Sequence, residues 1–108
     1  MIKVTLDKSF SKTVIHPVFI IDILIILDSA RRHGISDYDI MAVVAVPYVI
    51  AELRSEPEKL LFLGFDTKAR AIEVITDTGE NGQIFVIHAD LITKGNEKLL
   101  EEVIKNEF

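Results

Sequence analysis

LLFLGFDTKARAIEVITDTGENGQIFVIH, residues Leu60 to His88, decides the fold. Leu60 to Phe65 reads as a strand, Asp66-Thr67-Lys68-Ala69 as a turn and Arg70 to Thr76 as a second strand. Asp77 to Gly82 is then a polar hairpin loop and Gln83 to His88 a third strand. Connections this short favour antiparallel pairing, because a parallel crossover takes roughly a dozen residues or more. Leu60-Leu61-Phe62-Leu63 and Ile84-Phe85-Val86-Ile87 are apolar at every position. An antiparallel sheet with one wet face alternates instead, so something must cover both faces of this one.

Upstream, Tyr48 to Leu53 adds another strand, joined through the turn Ser55-Glu56-Pro57-Glu58. Before it lies a well-signalled helix from Asp37 to about Ala45. Ser36 can cap it, Asp39 can complete a box-like cap, and Ile35 and Ile40 occupy the two positions of a hydrophobic staple. Pro47 ends it and pushes Val46 toward extended geometry. Gly34 is placed to take the left-handed conformation that closes a preceding helix. That helix is expected from Pro17 to His33, with Phe19, Ile20, Ile23, Leu24, Ile26, Leu27 and Ala30 on one arc of the wheel. Ile25 and Val18 fall on its polar side. Lys3 to Leu6 reads as a strand and Asp7 to His16 as irregular chain. Downstream, Asn96 can cap a last helix whose apolar stripe is Leu99, Leu100, Val103 and Ile104. The expected order is β-α-α-β-β-β-β-α. This is one α+β domain over residues 1–108, with two N-terminal helices and a C-terminal helix packed on a mainly antiparallel sheet.

Composition narrows the function. The chain has 108 residues and no cysteine, which excludes disulfides, cysteine zinc sites and thiol catalysis. Hydrophobic residues make up 49%, high for a small soluble domain, so apolar surface is either covered within the chain or offered to a partner. The net charge of -5 argues against broad nucleic-acid binding, which runs on phosphate neutralisation, and leaves room for a local basic patch. The first residues read as a strand rather than a signal peptide. The apolar run Val18 to Leu27 is too short to span a bilayer and carries Asp22. A cytoplasmic chain without a membrane role is the expectation.

Few residues carry chemistry. His88 ends a strand two positions before Asp90, a pair that can orient an imidazole for acid–base work, or in which Asp90 simply caps a helical turn. His33 follows Arg31 and Arg32 in the last turn of the first helix, where cations suit the helix dipole or a ligand. Lys68 and Arg70 flank the hairpin turn, and Arg54 ends the preceding strand. Together these cations can hold a phosphate and stabilise charge developing during RNA cleavage, or serve as ordinary edge-strand charge. No spacing gathers three metal ligands, and Gly79 and Gly82 belong to a hairpin rather than to a phosphate loop. No cofactor is implied.

Three stretches resemble the RelE/ParE superfamily of toxins from bacterial toxin–antitoxin pairs, and within it the BrnT branch. They are Arg31-Arg32-His33-Gly34-Ile35-Ser36, Leu60 to Asp77 with Leu63-Gly64 and Arg70, and Gln83 to Ala89 followed by Glu97. The chain departs from the branch at Asp90 and Leu91, where Arg and Lys are usual. The resemblance implies a toxin-like component of a type II pair, an RNA endonuclease neutralised by a bound antitoxin. On that reading Arg70, Lys68 and His88 are the catalytic candidates, and Arg54, Arg31, Arg32 and His33 the RNA-binding ones. Arg70 and His33 match the family pattern, whereas Lys68 and Arg54 enter by expected proximity. The acidic charge and apolar strands suit an alternative, a non-enzymatic interaction module or homodimer.

Overall fold

The computed structural model describes residues 3–4 and 24–107. Its elements are β1 (Lys3–Val4), β2 (Leu24–Ile26), α1 (Asp28–Arg31), α2 (Asp37–Ala45), β3 (Val49–Ser55), β4 (Glu58–Phe65), β5 (Ala71–Thr78), β6 (Ile84–Leu91) and α3 (Lys94–Glu107). The strands form one sheet in the order β1-β3-β4-β5-β6-β2. Every pairing is antiparallel except that of β2 with β6. The α+β class and the expected element order hold, with one strand added.

That strand corrects the expected first helix. Pro17 to Ile23, like Thr5 to His16, lies outside the described residues. Leu24–Ile26, however, runs parallel to Ile84–Val86, and Leu27 stays extended at φ -80°, ψ 156° before a helix of only four residues. The helical wheel and the two-residue period of a strand both turn Leu24 and Ile26 inward and Ile25 outward, so three residues of pattern do not separate them. The β-branched isoleucines and the backbone of β6, which needs pairing on its outer edge, favour the strand. Leu27, placed on the apolar arc of the wheel, is 37% exposed, whereas Ala30 is fully buried.

Both faces of the sheet are covered, as the all-apolar strands require. On one face Ala30 of α1 and Ile40, Val43 and Val44 of α2 meet Ile50, Phe62, Ile72 and Val74. On the other, Leu100 and Val103 of α3 meet Val49, Ala51, Leu61 and Leu63. Gly64 lets α2 approach β4: a Cβ there would lie 3.2 Å from a methyl of Val43.

The anticipated stop and restart is present in detail. Gly34 has φ +78°. The Asp39 N–H donates to Ser36 Oγ, and the Ser36 hydroxyl donates back to Asp39 Oδ2, both at 3.1 Å. Asp39 also reaches out of its helix and accepts from the Thr67 N–H at 2.9 Å, which ties α2 to the β4–β5 hairpin. The final helix begins two residues before the expected cap. The Thr93 carbonyl accepts from the Glu97 N–H, so Asn96 sits in the first turn with its side chain free for another task. Among the described residues no helix is long and apolar enough to cross a membrane.

Candidate acid–base site at the edge of the sheet

Strand β2 pairs with only the first part of β6, Ile84 to Val86. Beyond it the Ser29 hydroxyl donates to the Ile87 carbonyl, and no described strand pairs with the outer edge of His88 to Leu91. The turn between α1 and α2 occupies that space and brings His33 beside His88. Their ring centroids are 5.8 Å apart in an edge-to-face arrangement. Fifty-five positions of sequence separate them, so only the fold makes them neighbours.

Each imidazole has its own carboxylate. His88 Nε2 lies 2.9 Å from Glu73 Oε2. His33 Nδ1 lies 3.6 Å from Asp90 Oδ2. The expected His88–Asp90 partnership is thus rearranged: Asp90 faces His33, and Glu73 of the neighbouring strand serves His88. Asp90 also belongs to β6 rather than to a helical turn, and its Oδ1 accepts from the Leu91 N–H.

Glu73 is the residue that sequence reading did not single out. It is 4% exposed, in the middle of β5. Its Oε1 accepts from the Thr93 N–H at 2.7 Å and from Asn96 Nδ2 at 3.1 Å, both at the start of α3. Burial works to raise its pKa, but the hydrogen bonds from Thr93, Asn96 and His88 outweigh it and hold the carboxyl below the usual glutamate range. One signal was available. Strand alternation puts Glu73 on the face of Ala71 and Ile75, which pack into the apolar cluster beneath α3. A carboxylate in that company needs dedicated donors.

The cations are dispersed. Arg70 Nε donates to Asp66 Oδ2 at 2.8 Å. The same carboxylate accepts from the Lys68 and Arg70 N–H groups, so it organises the hairpin from within. Burial pushes the Asp66 pKa up, and these donors bring it below the normal aspartate value. Arg31 is held by Asp37 through two bonds of 3.0 and 2.9 Å and by Asp28 at 3.2 Å. Its charge is neutralised where α1 meets α2. Among the described residues, the side chains of Arg32 and Lys68 form no ion pair.

Arg54 corrects the expected cluster. It pairs with Asp77 and donates to the Pro57 carbonyl at the β3–β4 turn. Lys68 and Arg70 lie past the other end of β4. Arg54 aligns with Lys59, and Phe65 with Ala71. Six strand residues at about 3.3 Å each put roughly 20 Å between the two ends. Neighbouring strands do not make neighbouring charges when the residues sit at opposite ends.

His33, His88, Glu73 and Asp90 therefore meet beside the outer edge of β6, with Arg32 adjoining His33 in sequence; His88 stands opposite Ile75, five strand residues or roughly 16 Å along β5 from Arg70. Among the described residues no set of three His, Cys, Asp or Glu side chains is arranged to hold a metal ion. No family model, no curated protein and no solved structure matches the chain.

Proposed function

We propose that the chain is an RNA endonuclease of the toxin type, with His88 and His33 as an acid–base pair. The observation that supports this most is the edge-to-face contact of two imidazoles, each beside a carboxylate. Imidazole is the side chain suited to both giving and taking protons near neutral pH. RNA carries its own nucleophile. His88 takes the proton of a 2′-hydroxyl, whose oxygen attacks the adjacent phosphorus. The bond to the 5′-oxygen breaks, and that leaving oxygen takes a proton from His33. The products are a 2′,3′-cyclic phosphate and a 5′-hydroxyl end. Arg32, next to His33 in sequence, supplies charge for the phosphate as it becomes more negative, and the Lys68–Arg70 hairpin, roughly 16 Å along β5 from the level of His88, binds a neighbouring stretch of the RNA backbone. A net charge of -5 makes this a local basic site on an acidic molecule, suited to a structured or ribosome-held RNA more than to indiscriminate binding.

A second reading has its own support. Val46 is 72% exposed, and beside it Tyr48 and Phe65 stack edge to face at 5.2 Å. An exposed aromatic pair next to a bare valine suits a protein partner, whether an antitoxin or a second copy.

Tight induction in a bacterial host, with growth and total RNA followed together, separates the two. Growth arrest with fragments ending in 2′,3′-cyclic phosphate is expected, relieved by His88→Ala and by His33→Ala at equal soluble expression. Intact RNA and normal growth with the soluble parent chain would sink the nuclease reading and leave the interaction module.

A further inference from the structure

We propose that Glu73 is the positioning residue of this site: it locks His88 in the tautomer with the proton on Nε2, so that Nδ1 is the nitrogen that accepts a proton. The functional half of this rests on the ribonuclease reading. The structural half rests on the hydrogen-bond geometry around Glu73 and on its being ionised, which its donors favour. Glu73 Oε1 is already taken by two donors from α3, the Thr93 N–H and Asn96 Nδ2. The second oxygen is therefore fixed in direction and lies 2.9 Å from His88 Nε2. An ionised carboxylate only accepts, so the nitrogen facing it must carry hydrogen. In the neutral imidazole that leaves Nδ1 with the lone pair. The start of α3 thereby sets the protonation pattern of a histidine on β6, through one side chain on β5. The carboxylate is nearly enclosed, with 5% of its side chain exposed against 30% for His88, so solvent does not compete for it.

This arrangement makes a specific prediction for Glu73→Gln. The new amide keeps its oxygen toward the Thr93 N–H, which has to be accepted by something. Its NH2 group then faces His88 Nε2 and donates, so Nε2 becomes the acceptor and the proton moves to Nδ1. The substitution is nearly isosteric and inverts the tautomer. Where a carboxylate holds a catalytic histidine in this way, the corresponding amide costs activity through the wrong tautomer alone.

The test is nitrogen-15 NMR of the ring nitrogens in the full chain, at a pH where the imidazoles are neutral, paired with cleavage of an RNA oligonucleotide. In the parent, a pyrrole-type signal at His88 Nε2 and a pyridine-type signal at Nδ1 are expected. In Glu73→Gln the two exchange, and cleavage falls by about 10²- to 10⁴-fold. Asn96→Ala keeps the Glu73–His88 bond, and the parent pattern of signals should persist. A parent His88 protonated on Nδ1 overturns the proposal without any variant, even if Glu73→Gln folds poorly. Inverted signals with undiminished cleavage overturn it as well. If the parent cleaves no RNA, the ribonuclease reading falls, and the ring-nitrogen signals alone then decide whether Glu73 sets the tautomer.

Discussion

Asp66, in the turn after β4, and Glu73, in the middle of β5, are both buried and both accept three hydrogen bonds, yet they do different things. The donors to Asp66 are the Lys68 and Arg70 N–H groups and Arg70 Nε, all within four residues. The donors to Glu73 come from Thr93, Asn96 and His88, between 15 and 23 residues away. A carboxylate satisfied by its own turn shapes that turn and nothing else. One satisfied from β6 and from the start of α3 holds both against its own strand, and here one donor is an imidazole open to solvent. Burial and a depressed pKa are common to both. The origin of the donors, more than the perturbation, separates a structural acid from a site acid.

The largest expected effect tests the structural side. Asp66→Ala leaves two hairpin N–H groups without their acceptor, which should cost about 3 kcal/mol in urea denaturation. The Arg70 contact adds little to this, because that side chain is 44% exposed. The His88 ring-nitrogen signals should not change; if they do, the two carboxylates are coupled and the contrast fails. Acidification should act on both. Asp39, Asp66 and Glu73 all have pKa values lowered on folding. A folded value below the unfolded one gives stability that is complete above the unfolded value, near about 4, and is lost as pH falls through the folded value. The urea midpoint should therefore drop below about pH 4 in the parent, and less steeply in Asp66→Ala. A parent midpoint that is flat down to pH 3 would show that these hydrogen bonds do not favour the ionised forms.

Gly34 comes next. With φ +78° and no atom within 4 Å of a built Cβ, Gly34→Ala meets backbone strain without a clash. About 1 kcal/mol of destabilisation is expected. The same turn carries His33, so a shift in the His33 ring signals should accompany the loss. Unmoved signals would mean that this turn does not position the imidazole.

Local chemistry made much of this molecule legible. The Ser36–Asp39 cap, the left-handed Gly34 and the three hairpins follow from residues a few positions apart, where sequence spacing and spatial distance coincide. The strand at Leu24–Ile26 was hidden because its identity depends on an edge of β6 sixty residues away. The site was half legible for the same reason. His88 and His33 stand out as residue types, but their contact needs the turn after α1 to meet the far half of β6. Glu73 looked like one acidic residue in a strand until the start of α3 supplied its donors. Arg54 erred in the opposite direction: adjacency of strands was right, and position along them was not considered.

Arg54 also gives the smallest expected effect and a sharp one. Its partner Asp77 is 30% exposed and its own side chain 41%, so removing the pair should cost about 0.5 kcal/mol or less. It stands roughly 20 Å from the Lys68–Arg70 hairpin by strand length. Arg54→Gln should leave RNA cleavage unchanged at moderate salt, whereas removing the charge of Arg70 should weaken it. Cleavage assays of Arg54→Gln beside Arg70→Gln make the comparison directly. If the two lose activity equally, RNA runs along the whole sheet. If only Arg70→Gln loses it, the RNA runs from the two histidines toward the Lys68–Arg70 hairpin, and Arg54 is edge charge.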